Sequence, residues 1–462
     1  MVQRPRPRLL PDGTALPLAE SAGSSAPATA TGTHAASGSQ ATSSAATAGP
    51  DEPLDVCLLS YRSDPYSGGQ GVYVHALSRT LVEQGHSVDV VSGKPYPDLD
   101  PRVDLVELPG ENVVDEVDRL GAFDASYLRQ PRKFFEWASV LTGGFPDPYT
   151  FGERVVEYLD DHGDAYDVIH DNQSLSYGLL DLLDRDVPVV ATVHHPITVD
   201  REMDLADADD VTDRLLVRRW YSFLRMQRRV ASRLPHVVGV SEATRERTVA
   251  DFGADPDAVS VVHNGVDTDL FRPRPDVETV PGRVMTTVSA DVPIKGTRHL
   301  LAAFATVRER RPDAELTVVG QFDEGGTAAA LIDDLDLGDA ITTHSEISAE
   351  RMVELYGSAA VAVVPSLFEG FGLPAAEAMA CGVPTVATTG GALPEVVSDA
   401  GRLVPPGDPA AIADAVCDLL ADPAARSRLG DRARERVCQA FDWDEAARET
   451  AAIYREAIRA HR

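Results

Sequence analysis

Lysine is nearly absent from this chain of 462 residues: only Lys94, Lys133 and Lys295 occur, and arginine supplies the other 39 of its 42 basic residues. Positive charge as a whole is scarce, with 73 acidic residues setting the net charge at −31. Neutralising phosphates dominates affinity for nucleic acid, so a general nucleic-acid-binding face is excluded. The four cysteines (Cys57, Cys381, Cys417, Cys438) form neither a disulfide framework nor a metal-spaced cluster. Cys57 and Cys381 lie in apolar contexts and are expected to be buried small hydrophobes. No apolar run is long enough to span a bilayer. The basic N-terminus, MVQRPRPRLLPDG, is interrupted by prolines and followed by no apolar stretch, which argues against secretion.

What is present is ample apolar material, 43% of the chain, enough for two to three domains. An acidic, lysine-poor, arginine-retaining composition suits a cytoplasm rich in salt, where a Debye length of about 3 Å at 1 M screens surface repulsion. The expectation is therefore a halophilic, cytoplasmic protein, with an ordinary acidic cytosolic protein as the second reading. Residues 1–52 are dominated by Ala, Ser, Thr, Gly and Pro and are expected to form a disordered tail.

Folded structure begins at Leu54–Ser60, an apolar run suited to a buried parallel strand. A glycine-rich turn, Ser67–Gly71, leads into helical periodicity over Val72–Gln84; Gly85 ends it, and Ser87–Val91 reads as the next strand. Further strands are predicted at 167–170, 187–193, 236–240 and 259–262. Prolines at 273, 275 and 281 mark a linker over 271–282. The alternation restarts with a strand at 284–289, a helix at 298–310 and strands at 315–319, 361–365 and 384–388. Two doubly wound α/β units in tandem follow, with function expected in the loops after strands. No metal motif appears, and the acidic stretch 204–213 reads as a solvated loop.

The densest segment is Pro365-Ser-Leu-Phe-Glu-Gly-Phe-Gly-Leu-Pro-Ala-Ala-Glu-Ala-Met-Ala-Cys-Gly-Val-Pro384. Two carboxylates, Glu369 in a loop and Glu377 in a helix, flank glycines that let backbone approach a ligand closely. The landmarks Gly68-Gly69, Val72-Tyr73-Val74, Gly85-His86, Thr192-Val193-His194-His195, Val240-Ser241, His263-Asn264-Gly265-Val266-Asp267, Lys295-Gly296, Gly390-Gly391-Ala392-Leu393-Pro394-Glu395 and Phe441-Asp442-Trp443 stand in order around it. Over residues 54–462 this pattern resembles the retaining, nucleotide-sugar-dependent glycosyltransferases of family 4.

The resemblance implies a GT-B fold, two Rossmann-like domains facing across a cleft, with a C-terminal helix over 441–462 crossing back to the first domain. It assigns 53–270 to the acceptor side and 283–440 to nucleotide-sugar binding. His194, Lys295 and Glu369 take the catalytic roles, with Glu369 on donor-sugar hydroxyls and Lys295 on the leaving diphosphate. Glu377 would hold the ribose. Gly69, Gly71, Phe371, Gly372, Leu373, Gly391, Ala392 and Leu393 complete the donor-binding set. His195 is expected to point away from the position of His194. A metal ion and any other cofactor are expected to be absent, the nucleotide sugar being a substrate.

One departure is Ala290, where the family often has a second arginine for the phosphates; Arg298, one turn beyond Lys295, is the candidate replacement. Lys295 has independent weight, because a lysine retained among arginines implies a site needing a compact point charge. Arg214–Arg233 holds seven arginines and no acid. It reads either as one basic amphipathic helix, with Leu216, Trp220 and Phe223 on its apolar face, meeting an anionic inner membrane surface or a lipid-linked acceptor, or as a domain helix whose arginines pair with the protein's own carboxylates. A small-molecule or glycan acceptor is the other expectation. Competing functions are a nucleotide-sugar epimerase of similar architecture and a non-catalytic nucleotide-sugar binder.

Overall fold

The computed structural model describes residues 52–64, 69–110, 124–185, 187–288, 292–323 and 325–461. The expected disordered tail lies outside these residues except for Glu52, as do Gly68 and Ala290. Two wholly parallel sheets form the frame. The first runs β3-β2-β1-β4-β5-β6-β7, from β1 (Asp55–Ser60), β2 (Ser87–Ser92), β3 (Asp104–Glu107), β4 (Val168–Asn172), β5 (Val189–Val193), β6 (Val237–Gly239) and β7 (Val259–Val261). The second runs β10-β9-β8-β11-β12-β13, from β8 (Arg283–Val288), β9 (Glu315–Gly320), β10 (Ile341–His344), β11 (Val361–Val364), β12 (Thr385–Thr388) and β13 (Arg402–Val404).

The central strands β4, β5, β11 and β12 are buried along their whole length, and β5 (VVATV) and β11 (VAVV) read as near-continuous apolar runs. Three of the four edge strands, β3, β10 and β13, are largely exposed or half-buried. Their sequences, DLVE, ITTH and RLV, give no such run, and sequence reading passed over all three. Cys57 and Cys381 are buried as expected.

The C-terminal helix Trp443–His461 returns to the first sheet. Its buried face, Trp443, Ala446, Ala447, Ala451, Tyr454 and Ile458, recurs at three- and four-residue spacing. That face shares one core with Leu58, Leu77 and Val90 of the first half. Tyr454 also reaches His170 on β4, with its hydroxyl 2.6 Å from Nδ1.

Two local expectations need correction. The helix expected from Val72 spans Gly69–Glu83, so Gly69 and Gly71 belong to its first turn rather than to a preceding loop. The arginine segment is two helices, Val211–Trp220 and Leu224–Ala231, separated by a 3-10 turn at Tyr221–Phe223. Its presumed apolar face is spent inside the protein: Trp220 stacks on Phe145 at 5.3 Å and Phe223 meets the same ring edge-on at 5.5 Å. Arg219 is turned inward to Ser139 and Thr142, at 3.1 Å each. The other six arginines are exposed and have no ion-pair partner among the described residues. Neither reading of the segment therefore holds as it stood. No helix among the described residues is long and apolar enough to cross a membrane.

Candidate functional site

Adjacent strands place their following loops side by side, and the site is assembled from the loops after β8, β11, β12 and β5. After β8 the chain makes a 3-10 turn, Pro293–Lys295, ended by Gly296 in the left-handed region (φ 66°). A side chain at Gly296 would meet the Pro365 carbonyl oxygen at 2.1 Å, so only glycine lets this turn lie against the loop after β11. The Leu367 amide closes the junction by donating to the Ile294 carbonyl at 2.7 Å. Lys295 is thereby brought to Glu369: Nζ donates to Oε1 at 2.8 Å, and Ser366 Oγ donates to the same oxygen at 2.7 Å.

Both groups of the pair are largely buried, with side-chain exposures of 16% for Lys295 and 11% for Glu369. Burial alone would raise the Glu369 carboxyl. The Lys295 ammonium and the hydrogen bonds from Lys295 and Ser366 outweigh it and hold the carboxyl below its usual range. The loop after β12 is tied to the same residue, since the Ala392 amide donates to the Glu369 carbonyl at 2.9 Å. Gly372 then starts the helix Leu373–Ala380, whose second turn carries Glu377. Burial pushes the Glu377 carboxyl up to about 8, moderated by a hydrogen bond with the Tyr356 phenol.

The first half of the chain meets this cluster through the His194–His195 turn. A Cβ on Gly370 would stand 1.9 Å from the His194 carbonyl oxygen, so the two turns touch backbone to backbone. Ser241 Oγ and Thr244 Oγ1 donate to the Gly370 carbonyl at 2.6 and 3.0 Å. Glu395 accepts from the amides of Glu242 and Ala243, both at 2.8 Å. Gly69 also lies against the second half, where a Cβ would sit 3.4 Å from Leu373.

The turn itself is held by Gln173, a buried residue with φ of 57°. Its Oε1 accepts from the His194 and His195 amides at 2.5 and 3.1 Å, and its Nε2 donates to the His195 carbonyl at 2.6 Å. Gln227 in turn donates to the carbonyls of Gln173 and Ser174. The His194 ring packs edge-on to Tyr73 at 4.4 Å, and its Nε2 donates to Asn172 Oδ1. Burial, with a smaller push from His170, lowers its pKa to about 3. His194 is therefore neutral, with Nδ1 left as the acceptor. His195 does diverge from it, toward Asp200 and the Phe368 ring.

The structure thus brings together His194, Lys295, Glu369, Gly69, Gly372, Leu373, Gly391, Ala392 and Leu393, with Glu377 one helical turn behind. Phe371 does not present its ring: it packs edge-on against Phe441 at 5.3 Å and is 4% exposed, leaving only its backbone for a ligand. Arg298 points to Asp207 at 3.3 Å across the two halves. Asn172, Gln173, Ser366 and Asp200 were missed. The run Asp171-Asn172-Gln173-Ser174, four buried polar residues that end β4 and continue past it, was the available signal.

On the side of the first sheet, beyond the ends of β1 and β2, an open depression is lined by Tyr61, Lys94, Glu136, Asp147, Thr150 and Arg154 among others. Arg154 pairs with buried Glu136, and Asp147 pairs with Arg62 at 3.1 Å. Lys94 has no ion-pair partner among the described residues.

Comparison with known proteins gives two family matches, Glycosyltransferase Family 4 over residues 67–270 and Glycosyl transferases group 1 over 276–436. The chain is 45% identical over 409 residues to the MMP alpha-(1->4)-mannosyltransferase of Mycolicibacterium hassiacum, covering 88% of this chain and 98% of that one. It is 31% identical over 440 residues to the D-inositol 3-phosphate glycosyltransferase of Kribbella flavida, covering 88% and 97%. Among solved structures it resembles sucrose-phosphate synthase from Thermosynechococcus elongatus, with a TM-score of 0.68, 25% identity and coverage of 88% and 100%. Anabaena HepE in complex with UDP and glucose matches in fold, with a TM-score of 0.62 at 17% identity over 86% and 98% of the two chains. These comparisons favour neither an epimerase nor a non-catalytic binder.

Proposed function

The chain belongs to the family 4 glycosyltransferases of GT-B fold, and from that premise we propose that it moves a glycosyl unit from a nucleotide-sugar donor to an acceptor hydroxyl, with retention at the anomeric carbon and without a metal ion. The observation that carries the reading is the Lys295–Glu369 pair, seated under the His194 turn. Each group of the pair satisfies the other. An incoming diphosphate takes the ammonium, and the freed carboxylate accepts hydrogen bonds from the donor sugar.

The bond from the anomeric carbon to the diphosphate oxygen then breaks, and that oxygen keeps the electron pair. The acceptor hydroxyl oxygen bonds to the same face of the carbon, and its proton passes to the departing diphosphate. Lys295 and the amides of Gly372, Leu373 and Gly391 face the charge that develops there, which supports a metal-free step; the Ala392 and Leu393 amides are spent on the Glu369 and Gly390 carbonyls. Neutral His194 accepts a sugar hydroxyl at Nδ1, and Glu377 takes the ribose. Residues 53–270 form the acceptor side, and the depression at Lys94 and Arg154 receives the acceptor. Arg298 remains a candidate phosphate contact if it leaves Asp207.

The name of the 45%-identical relative makes mannose the first sugar to test. The six exposed arginines of 214–233 favour electrostatic contact with an anionic membrane face or lipid-linked acceptor rather than apolar insertion. The acid excess favours a halophilic setting, in which potassium chloride raises the melting temperature. A panel of nucleoside diphosphates and nucleotide sugars in molar KCl is the direct experiment. A ligand at 100 times its Kd stabilises by about 2.7 kcal/mol, and NMR of the product then reads the anomeric configuration with and without chelator. No shift with any nucleotide, or an inverted product, defeats the reading.

A further inference from the structure

His194 and His195 share one clamped turn, yet their rings enter different surroundings. The Gln173 amide fixes the backbone of both residues without touching either imidazole. His194 turns into the first half, between Tyr73 and Asn172. His195 turns toward the second half, with its ring 5.3 Å from that of Phe368, the residue before Glu369. Its Nε2 is paired with Asp200 Oδ2, at side-chain exposures of 18% and 12%. The other ring nitrogen, Nδ1, has no partner among the described residues and is not among their fully buried unpaired atoms.

The charges around this imidazole can be named from each packed element. Asp200 belongs to the helix Thr198–Ala206, which packs on the Lys295 turn. Lys295 and Glu369 face His195 from the second half. Further along lie the Arg298–Asp207 pair and Asp251, which bonds Thr198 and pairs with Arg247. At the site itself, then, two carboxylates stand beside one lysine. A nucleotide-sugar diphosphate brings about two more negative charges into that setting. One lysine leaves this excess unbalanced, and an imidazole is the side chain that can gain a charge near neutral pH.

We propose that His195, oriented by Asp200, is a second cationic contact to the donor diphosphate, protonated as the donor binds and donating Nδ1–H to a phosphate oxygen. The assignment rests on the nucleotide-sugar reading and deepens it: one proton enters the site with each donor, taken from solvent on to the imidazole. His194 cannot supply this proton, because its buried ring stays neutral through the physiological range.

The test is the pH dependence of donor affinity, measured by calorimetry from pH 5.5 to 8.5 in molar KCl with GDP-mannose and UDP-glucose as probes. Both phosphates of a nucleotide sugar are already ionised in this range, so the ligand adds no titration of its own. Linkage of one proton predicts that affinity falls ~tenfold per pH unit once the imidazole must be protonated on binding. Repeating the titration in buffers of different ionisation enthalpy should show uptake of about one proton per donor. His195→Gln should remove both the falling limb and the uptake, leaving any rise due to Glu377. Asp200→Asn, which keeps the ring but removes the charge that favours its protonation, should start the fall at lower pH and provides the test if the glutamine variant does not fold. A falling limb retained in His195→Gln, or unmoved by Asp200→Asn, overturns the assignment while the donor reading stands. Failure of the wild type to bind either nucleotide sugar overturns both.

Discussion

The two halves of the site are built by opposite means. In the second half, backbone does the positioning: Gly296 and Gly370 let turns approach to distances no side chain tolerates, and the charged groups Lys295 and Glu369 then meet at 2.8 Å. In the first half, side-chain amides do it, with Gln173 and Asn172 holding the histidine turn from beneath. Glycine-built loops tolerate little substitution and show as motifs. Amide-built loops depend on buried hydrogen bonds between residues 20 or more positions apart, and local sequence marks them only by a polar run such as 171–174.

The largest effect should come from the charged pair. Lys295→Ala should lower kcat by ~10²–10³-fold, the scale of removing one donor to developing negative charge; steady-state kinetics at saturating donor measures this. Lys295→Arg should recover only part of the loss, because a planar fork does not replace a point charge. Equal activity in all three proteins would remove Lys295 from the chemistry.

Gly370→Ala should be next. The added methyl would lie 1.9 Å from the His194 carbonyl oxygen, so the two turns must separate. Misplacement by ~1 Å costs ~10²-fold in rate. Nucleotide affinity should change less, since Lys295, Glu377 and the loop amides proposed to hold the nucleotide belong to the second half and only Gly69, Gly71 and His195 reach it from the first. A variant that loses nucleotide binding and rate together would show that the halves are not built independently.

Gln173→Ala probes the amide-built half. It removes three hydrogen bonds to the turn from a buried position and should cost roughly 2–4 kcal/mol of stability, read by denaturant unfolding in KCl. The smallest effect is a slope. Glu377 is pushed up to about 8 in the fold, so between pH 5 and 8 the native state holds a proton that the unfolded chain has released. Stability therefore falls as pH rises across that window, whereas ribose binding to the carboxylate improves. Glu377→Gln should flatten both dependences; a melting temperature that responds to pH identically in both proteins would contradict the buried carboxyl.

Legibility followed burial. Strands enclosed by helices on both faces, such as β5 and β11, were readable to within about two residues at each end. Of the edge strands β7 was readable, but β3, β10 and β13 were not, because exposure leaves no apolar run in ITTH or DLVE. The arginine segment misled for a related reason. Helical periodicity places Trp220 and Phe223 on one face, but only packing decides that this face meets Phe145 rather than a membrane, and the chain breaks into a 3-10 turn to do so. The converse case is Arg298, a reasonable phosphate contact by spacing that tertiary structure joins to Asp207.

By itself, the sequence determined the two-unit α/β architecture and the family, and it singled out Lys295 in a chain almost without lysine. Those properties depend on local periodicity, on glycines required by backbone geometry, and on composition, all of which are written along the chain. Only the tertiary structure decided which groups meet: Lys295 with Glu369 across 74 positions, Gln173 with the histidine turn across 21 and 22, and His195 beside Phe368. Contacts of that kind arise from strand order and from the adjacency of loops at the ends of neighbouring strands, and no local pattern encodes either.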